Sequence, residues 1–303
     1  MLQLRTAGYK ALDNLRSRGE FPPGWNSPDE LEMVTDQFMT KFLAERFDVS
    51  SELGPGFLIP EMIDRAVRTR ETENMDDSSA TGSEKLGWIR ALDRMNQMTQ
   101  SYTHQTSLLL PIISDISRRN GPARILELAS GSGGLAFALA EQAGKYGLDI
   151  TVTATDIVPE TISEGNRLAA ARDLPVTFRS MNAFDFEGLE KGSIDVVVIS
   201  QSMHHFCPGQ LALMIAQAES HGASAFVGID GHRSLLLLGG VPLVASLQGI
   251  AAFTSDGLTS ARKFYSELEL EIIAQIATGR TGHRVVSSWP LSMLHAKLNE
   301  KAS

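Results

Sequence analysis

The chain has 303 residues, a formal net charge of −9 at pH 7 and one cysteine, Cys207. Its length is enough for one full α/β domain with a sizeable appendage, and 43% hydrophobic residues are typical of a globular protein. The acidic charge disfavours nucleic acid as a partner, because no excess of cations neutralises phosphates. One cysteine excludes internal disulfides and cysteine-only metal clusters. The lack of a signal-peptide core in residues 1–20 then predicts a cytoplasmic protein.

The first 75 residues have a helical pattern with breaks at Pro22–Pro28 and Gly54–Gly56. From Leu31 onward, apolar residues recur at helical spacing. We expect residues 1–75 to form a helical N-terminal extension packed on the main domain, with dimerisation or a substrate lid as alternatives. Residues 71–83 are acidic, polar and small, which predicts a linker.

After helical patterning over residues 84–120, strands and helices alternate from Arg124. The predicted strands are, in chain order, 124–128, 150–155, 176–179, 194–200, 223–229, 272–277 and 283–288. Such alternation is typical of a doubly wound, mainly parallel sheet, so the fold class is α/β. Ligands bind such sheets outside the carboxyl ends of the strands.

The first predicted strand ends in a glycine-rich turn, Glu127-Leu-Ala-Ser-Gly-Ser-Gly-Gly134, ahead of a helix. Glycines let the backbone approach a ligand closely, and a helix start presents free N–H groups. The Gly131-x-Gly133-x-x-Ala136 spacing, with Asp156 20 residues later, fits a dinucleotide fingerprint. Glu127 argues against it, because its carboxylate would repel a pyrophosphate. The sulfonium and ammonium groups of S-adenosylmethionine would instead be attracted.

Asp156 ends the second predicted strand, where a carboxylate can accept hydrogen bonds from both ribose hydroxyls of either cofactor. A helix cap ahead of Pro159 is the alternative role. The next residue, Ile157, is expected to lie against the adenine face.

Three stretches resemble class I S-adenosylmethionine-dependent methyltransferases. The turn that begins at Glu127 is similar to their motif I, and Asn182-Ala183 stands where they usually carry Asp-Ala. The segment Ser200-Gln-Ser-Met-His-His-Phe206 resembles the Leu-His-His-Leu ending after motif IV, including that of the quinone-biosynthesis type. The resemblance covers about residues 84–294 and does not extend to residues 1–75.

The resemblance implies a seven-stranded Rossmann-like sheet with an antiparallel last strand and S-adenosylmethionine as cofactor. It assigns cofactor contacts to ten residues: Glu127, Ala129, Gly131, Gly133, Asp156, Ile157, Asn182, Ala183, Ser200 and Gln201. In these enzymes a helix before the first strand commonly covers the cofactor. Asn96, Tyr102 and His104 are therefore lid candidates, with ordinary helix-face positions as the alternative.

His204 and His205 are candidates for catalysis, because histidine can accept a proton near neutral pH. Adjacent residues rarely both face a pocket, so at most one is expected to act. A packed or helix-capping histidine is the alternative. No H-x-x-x-H motif or acid-rich cluster accompanies the pair in the sequence, so no metal site is predicted.

The stretch from Ser234 to Phe253 is almost wholly apolar, but Gly239-Gly240, Pro242 and Gln248 interrupt it. Two short helices with a bend are expected, and not a stable membrane span. We interpret residues 231–259 as an apolar insertion on the substrate side that lines an acceptor pocket. Plain core or a dimer face is the alternative.

The predicted organisation is thus an extension (1–75) and a methyltransferase domain (84–303). The domain comprises lead-in helices (84–120), a cofactor-binding core (121–230) and the apolar insertion. The predicted function is transfer of a methyl group to oxygen, carbon or nitrogen of a small, apolar acceptor. An NAD(P)-dependent oxidoreductase, or an S-adenosylmethionine-binding protein without methyl transfer (an interaction or pericyclase-like role), remains an alternative. A homodimer is compatible with the sequence.

Overall fold

The computed structural model describes residues 2–77 and 79–299. Its strands are β1 Ala123–Leu128, β2 Ile150–Asp156, β3 Val176–Ser180, β4 Val196–Ser200, β5 Ala225–Gly231, β6 Arg284–Ser288 and β7 Leu291–Lys297. They form one sheet in the order β3-β2-β1-β4-β5-β7-β6. The first five are parallel, whereas β7 runs antiparallel to both β5 and β6. The expected seven-stranded, doubly wound α/β fold is confirmed. The last four residues of the predicted domain lie outside the described part of the chain.

Eleven α-helices surround the sheet within the described ranges. Five precede it: α1 Leu2–Ser17, α2 Pro28–Glu52, α3 Pro55–Val67, α4 Gly82–Met98 and α5 Ser101–Asn120. The other six are α6 Gly134–Lys145, α7 Pro159–Arg172, α8 Pro208–Ser220, α9 Leu235–Ser246, α10 Ala251–Lys263 and α11 Glu267–Thr278.

The predicted sixth strand is wrong, because residues 272–277 belong to α11. A capping box between Ser266 and Glu269 starts this helix, and Gly279 ends it in the left-handed conformation. Its apolar run resembles a buried strand because nearly every side of the helix is covered. A strand and a helix that are apolar all round cannot be told apart by periodicity.

The strand order places a switch point between β1 and β4. β1 pairs with β2 on one side and with β4 on the other. Strands β2 and β3 therefore extend the sheet in one direction from β1, and β4 to β7 extend it in the other. A crevice opens beyond the carboxyl ends of such strands. The glycine turn follows β1 and the histidine pair follows β4, so both lie at this crevice.

The N-terminal helices share a hydrophobic core with one face of the sheet. Leu12, Leu31 and Phe42 belong to the same buried cluster as Ile215 of α8 and Ile273 of α11. A buried ion cluster joins the same elements: Arg46 of α2 binds Glu61 and Asp64 of α3, and Arg68 binds Asp64 and Glu269 of α11. Helices α1–α3 are therefore packed into the body of the molecule.

The apolar stretch after β5 forms the two expected helices, α9 and α10, and the break between them includes Gln248. Gly239, Gly240 and Pro242 lie inside α9, so the expectation that they would interrupt the helix is wrong. Among the described residues, no helix has both the length and the apolar character needed to cross a bilayer.

Candidate active site

The glycine turn after β1 is held in a left-handed backbone conformation. Ala129, Gly131 and Gly133 have φ values of 50°, 53° and 72°. A Cβ atom on Gly133 would overlap the ring of Phe178, and one on Gly134 would overlap Tyr102. The two glycines let α6 start close against its neighbours, whereas a Cβ on Gly131 would only reach van der Waals contact with Ile89 at 3.9 Å. The turn is thus shaped so that backbone reaches the crevice.

Asp156 ties this turn to the end of β2. One carboxylate oxygen accepts from the N–H of Gly131 at 2.8 Å, and the other accepts from the N–H of Val158 at 3.0 Å. The side chain therefore fixes the turn, a contribution that sequence reasoning missed. A carboxylate accepts about four hydrogen bonds, so two sites remain for a ligand.

Glu127 is a buried acid at the mouth of the turn, with 4% of its surface exposed. The pKa of its carboxyl is raised to about 8, mainly by burial and also by the nearby Asp156 charge, while the N–H of Ala136 acts in the opposite direction. One of its oxygens, Oε2, is buried without a hydrogen-bond partner. A cation placed beside it would stabilise the buried carboxylate and give the unpaired oxygen a partner.

These residues line one cavity of about 1190 Å³. Nine of the ten predicted cofactor residues border it: Glu127, Ala129, Gly131, Asp156, Ile157, Asn182, Ala183, Ser200 and Gln201. Gly133 instead packs behind the turn. The side-chain oxygen of Asn182 accepts from the N–H of Phe184 at 3.0 Å, which is a local turn. The methyltransferase resemblance implies that this same oxygen accepts from the amino group of adenine.

Helices α4 and α5 close one side of the cavity. Asn96 and Tyr102 line it, and Asn96 donates to Gln201 Oε1 at 2.6 Å. His104 is not part of this wall, because its Nε2 is 2.7 Å from Ser288 Oγ at the sheet edge. Helix α2 supplies a further wall that the sequence analysis did not foresee, with Met39 and Leu43.

Buried polar atoms without partners point to a missing ligand. Among the described residues, Asn96 Oδ1, Glu127 Oε2 and Ser130 Oγ all lack a hydrogen-bond partner and all belong to residues that line the cavity. Buried polar groups are nearly always satisfied in folded proteins, so unpaired ones call for an explanation. A polar, partly cationic molecule bound along the turn would supply their partners.

Both histidines line the cavity, so the premise that adjacent residues do not both face a pocket is wrong here, whereas the expectation that at most one acts stays a prediction. They lie in a 3₁₀ turn, Met203–His205, with ring centroids 4.3 Å apart. Alternation between opposite faces holds within a strand, but β4 has already ended at Ser200. His204 Nδ1 lies 2.8 Å from Asp230 Oδ2, and His205 Nδ1 lies 2.7 Å from Asp76 Oδ2.

The predicted linker is in fact part of this site. Glu73 is 2% exposed, and its carboxylate lies 3.6 Å from His204 Nε2 and 3.8 Å from His205 Nε2. Asp256 anchors the segment by accepting from the backbone and side-chain N–H groups of Asn74, both at 2.7 Å. The acid-rich composition was the available signal, but its histidine partners lie about 130 residues away in the chain. The premise that no acids accompany the histidines is therefore wrong.

The apolar insertion does not form the predicted pocket wall. No residue of 231–259, all of which the structure describes, lines the large cavity. Leu243 and Leu247 are each 68% exposed on the outer side of the molecule. Helix α9 packs on α10 and α4 instead, so its outward leucines meet solvent.

Comparison with known proteins agrees with this geometry. A family model described as "Methyltransferase domain" matches residues 125–230. The non-reducing polyketide synthase tazA of Aspergillus terreus is 29% identical over 107 residues, which are 34% of this chain but 4% of that protein. This chain thus spans only a small part of its curated relative.

Solved structures of methyltransferases also match this chain. The plantazolicin methyltransferase BamL, crystallised with a triazolic desmethylPZN analog and SAH, matches with a TM-score of 0.54 at 13% identity, over 69% of this chain and 90% of that one. Magnesium protoporphyrin IX methyltransferase from Synechocystis, also with bound SAH, has a TM-score of 0.46 at 16% identity, over 78% and 92% of the two chains. At 13% identity the likeness to BamL concerns the fold alone.

The matched model covers β1 to β5, which is the part of the chain that carries the glycine turn, Asp156 and the histidine pair. The strand order and the antiparallel β7 agree with the expectation for that family. The chain therefore carries a class I methyltransferase domain, of the kind that uses S-adenosylmethionine as its methyl donor.

Proposed function

We propose that the protein transfers a methyl group from S-adenosylmethionine to a small acceptor bound in the same cavity. The observation that carries the proposal is that one cavity joins the glycine turn to the histidine pair. Both substrates of a direct transfer must meet in one space, because the methyl group passes between them without a carrier. S-adenosylmethionine supplies an electrophilic methyl group on a sulfonium, which is already a good leaving group.

The cofactor-binding roles follow from charge and position. Glu127, buried and lacking a partner on one oxygen, would bind the cationic part of the cofactor. Asp156 retains acceptor sites for the ribose hydroxyls. Ile157, 70% exposed at the cavity, and Asn182-Ala183 would contact the adenine. Asn96 and Tyr102 would cover the bound molecule.

The acceptor end has an apolar and a polar part. Met39, Leu43 and Phe206 border the cavity on one side, and His204 and His205 border it on another. We infer an acceptor with an apolar body and one ionisable group, which would lie beside the histidines and carry the attacking atom. Alignment and exclusion of water account for most of the acceleration in such a transfer. BamL, whose structure contains a small organic ligand, supports a small-molecule acceptor.

The test uses S-adenosylmethionine with an isotopically labelled methyl group, incubated with purified protein and a small-molecule extract. We expect a labelled metabolite and an equal amount of S-adenosylhomocysteine, and neither product with the Gly131→Val variant. Tight cofactor binding without any product, in extracts that span several growth conditions, would contradict methyl transfer and favour a binding or pericyclase-like role. Preferential binding of NADH would favour the oxidoreductase alternative.

A further inference from the structure

We propose that Glu73, His204 and His205 form a binding site for one divalent transition-metal cation of the zinc or iron class. Each residue offers one ligand atom, and these atoms all lie within 4.8 Å of one another. The site joins the turn after β4 to a segment more than 120 residues earlier in the chain.

The distances fit a cation better than a set of hydrogen bonds. The carboxylate of Glu73 is 3.6 Å from His204 Nε2 and 3.8 Å from His205 Nε2. Both exceed the usual hydrogen-bond range of about 2.7–3.2 Å. A tetrahedral zinc ion with bonds of about 2.0–2.1 Å holds its ligand atoms about 3.3 Å apart. The three ligand atoms lie within 4.8 Å of one another, so movement of these side chains toward each other would close them around an ion.

The outer contacts orient both imidazoles for this purpose. His204 Nδ1 is 2.8 Å from Asp230, and His205 Nδ1 is 2.7 Å from Asp76. A carboxylate only accepts, so each Nδ1 carries the proton and each Nε2 points toward Glu73. A carboxylate behind each ligating histidine is the arrangement that metal sites use to fix the ring and raise its basicity. Two such pairs on adjacent histidines are hard to explain by packing alone.

The local charge also suits a divalent ion. The carboxylates of Glu73, Asp76 and Asp230 converge on the cluster, opposed by the ammonium of Lys263, 3.4 Å from Glu73 Oε1. With neutral imidazoles the balance is about −2. Lys263 competes with a metal for the same oxygen, so it weakens the site without being a ligand.

The donor set indicates the class of metal. Two imidazoles and one carboxylate are found on catalytic zinc and on non-haem iron(II), whereas Mg²⁺ and Ca²⁺ take oxygen ligands. Three protein ligands leave further coordination positions free. Because both histidines line the large cavity, those positions face it. If the proposed methyl transfer holds, the acceptor would bind there through an oxygen, and the metal would lower the pKa of an acceptor hydroxyl.

The binding test needs neither cofactor nor acceptor. Metal-stripped full-length protein is titrated with Zn²⁺ against a chelating dye, and with Co²⁺ by visible absorption. We expect one ion per chain. Glu73→Gln and His205→Ala should each weaken binding by about 100-fold or more, and the outer variant Asp76→Asn by about 10–100-fold. Lys263→Met should tighten it.

A matched histidine control is His221→Ala, outside the cavity on the C-terminal side of α8, which should leave the affinity unchanged. Circular dichroism confirms that each variant is folded before titration. Wild-type protein that binds no Zn²⁺ or Co²⁺ at micromolar concentration would overturn the proposal. Equal affinities for wild type, Glu73→Gln and Lys263→Met would overturn it too, even if methyl transfer is observed.

Discussion

The cofactor side and the acceptor side of the cavity are built in different ways. The glycine turn, Asp156 and Glu127 come from one strand-helix-strand unit, and their contacts join residues about 25 positions apart. The cluster at Glu73 depends on Ser260, Lys263, His204 and His205, which are between about 130 and 190 positions away. A site built from residues that are close in the sequence can be recognised as a motif. A site whose residues are distant in the sequence and meet only in the folded protein cannot.

The largest expected effect concerns whether the two sides fold as one unit. Arg46→Met removes a buried cation that reaches Glu61 and Asp64 at 2.7 and 2.6 Å, and leaves these carboxylates only their pairs with Arg65, Arg68 and Arg233. Removal of one partner from a buried ion pair costs about 3–5 kcal/mol. Urea denaturation should show this loss in a single transition. The exposed Arg167→Met, which breaks the pair with Glu164, should change little.

The same variant also tests whether the cofactor side of the cavity depends on helices α1–α3. In Arg46→Met, helices α1–α3 could detach from the rest of the protein while S-adenosylmethionine still binds with wild-type affinity. That result would show that the cofactor side is independent of these helices. The shared core of Leu12, Ile215 and Ile273 predicts instead that cofactor affinity and folding are lost together.

The next largest effect is expected in the glycine turn. Gly131 has a φ of 53°, which a branched side chain adopts only with strain, and its side chain would project into the cofactor space. Gly131→Val should abolish measurable S-adenosylmethionine binding in calorimetry. Gly188→Val, at a glycine with free space and no left-handed φ, is the control. Wild-type affinity in Gly131→Val would reject the turn as the cofactor site.

A smaller effect is expected at Asp156. Asp156→Ala should reduce S-adenosylmethionine affinity at least tenfold, because a hydrogen bond to a charged group contributes about 1.5–3 kcal/mol. The melting temperature should fall as well, since the N–H groups of Gly131 and Val158 lose their acceptor. A melting shift with unchanged affinity would leave Asp156 only a structural role.

The smallest effect is a pH dependence at Glu127, whose pKa is raised to about 8. The folded protein holds this proton more tightly than the unfolded chain, so this carboxyl's stabilising contribution is present below about pH 4.5 and is lost as pH rises through 8. A cationic cofactor favours the ionised form, so its binding should release a proton. Affinity should therefore rise by about fivefold between pH 7 and pH 8 and then level off.

Calorimetry in buffers of different ionisation enthalpy measures that proton release. Glu127→Gln should abolish it and weaken binding at pH 8, where the wild-type carboxylate is charged. Proton release that persists in Glu127→Gln would assign the effect to another group.

The sequence alone predicted the five parallel strands, the edge strand β6 and the cofactor class, but it missed β7. Alternating strands and helices leave a regular spacing in the sequence. The turn from Glu127 to Gly134 can be recognised as well, because it needs glycines with positive φ values and carries one acid, Glu127. The helix α11 could not be predicted in the same way, because complete burial removes the periodicity that separates a helix from a strand. Its caps, Ser266 and Gly279, were the only local signal.

Tertiary structure decided the acceptor side. Whether the acids at 73 and 76 are a solvated linker or buried partners depends on His204, His205 and Lys263, which approach them only after the chain has folded. Likewise, an apolar stretch predicts burial but not which surface covers it. Leu243 and Leu247 face outward, and Met39 and Leu43 of α2 occupy the cavity wall instead. An apolar side chain in the sequence indicates that its exposure to water is unfavourable, but only tertiary packing decides which neighbours bury it.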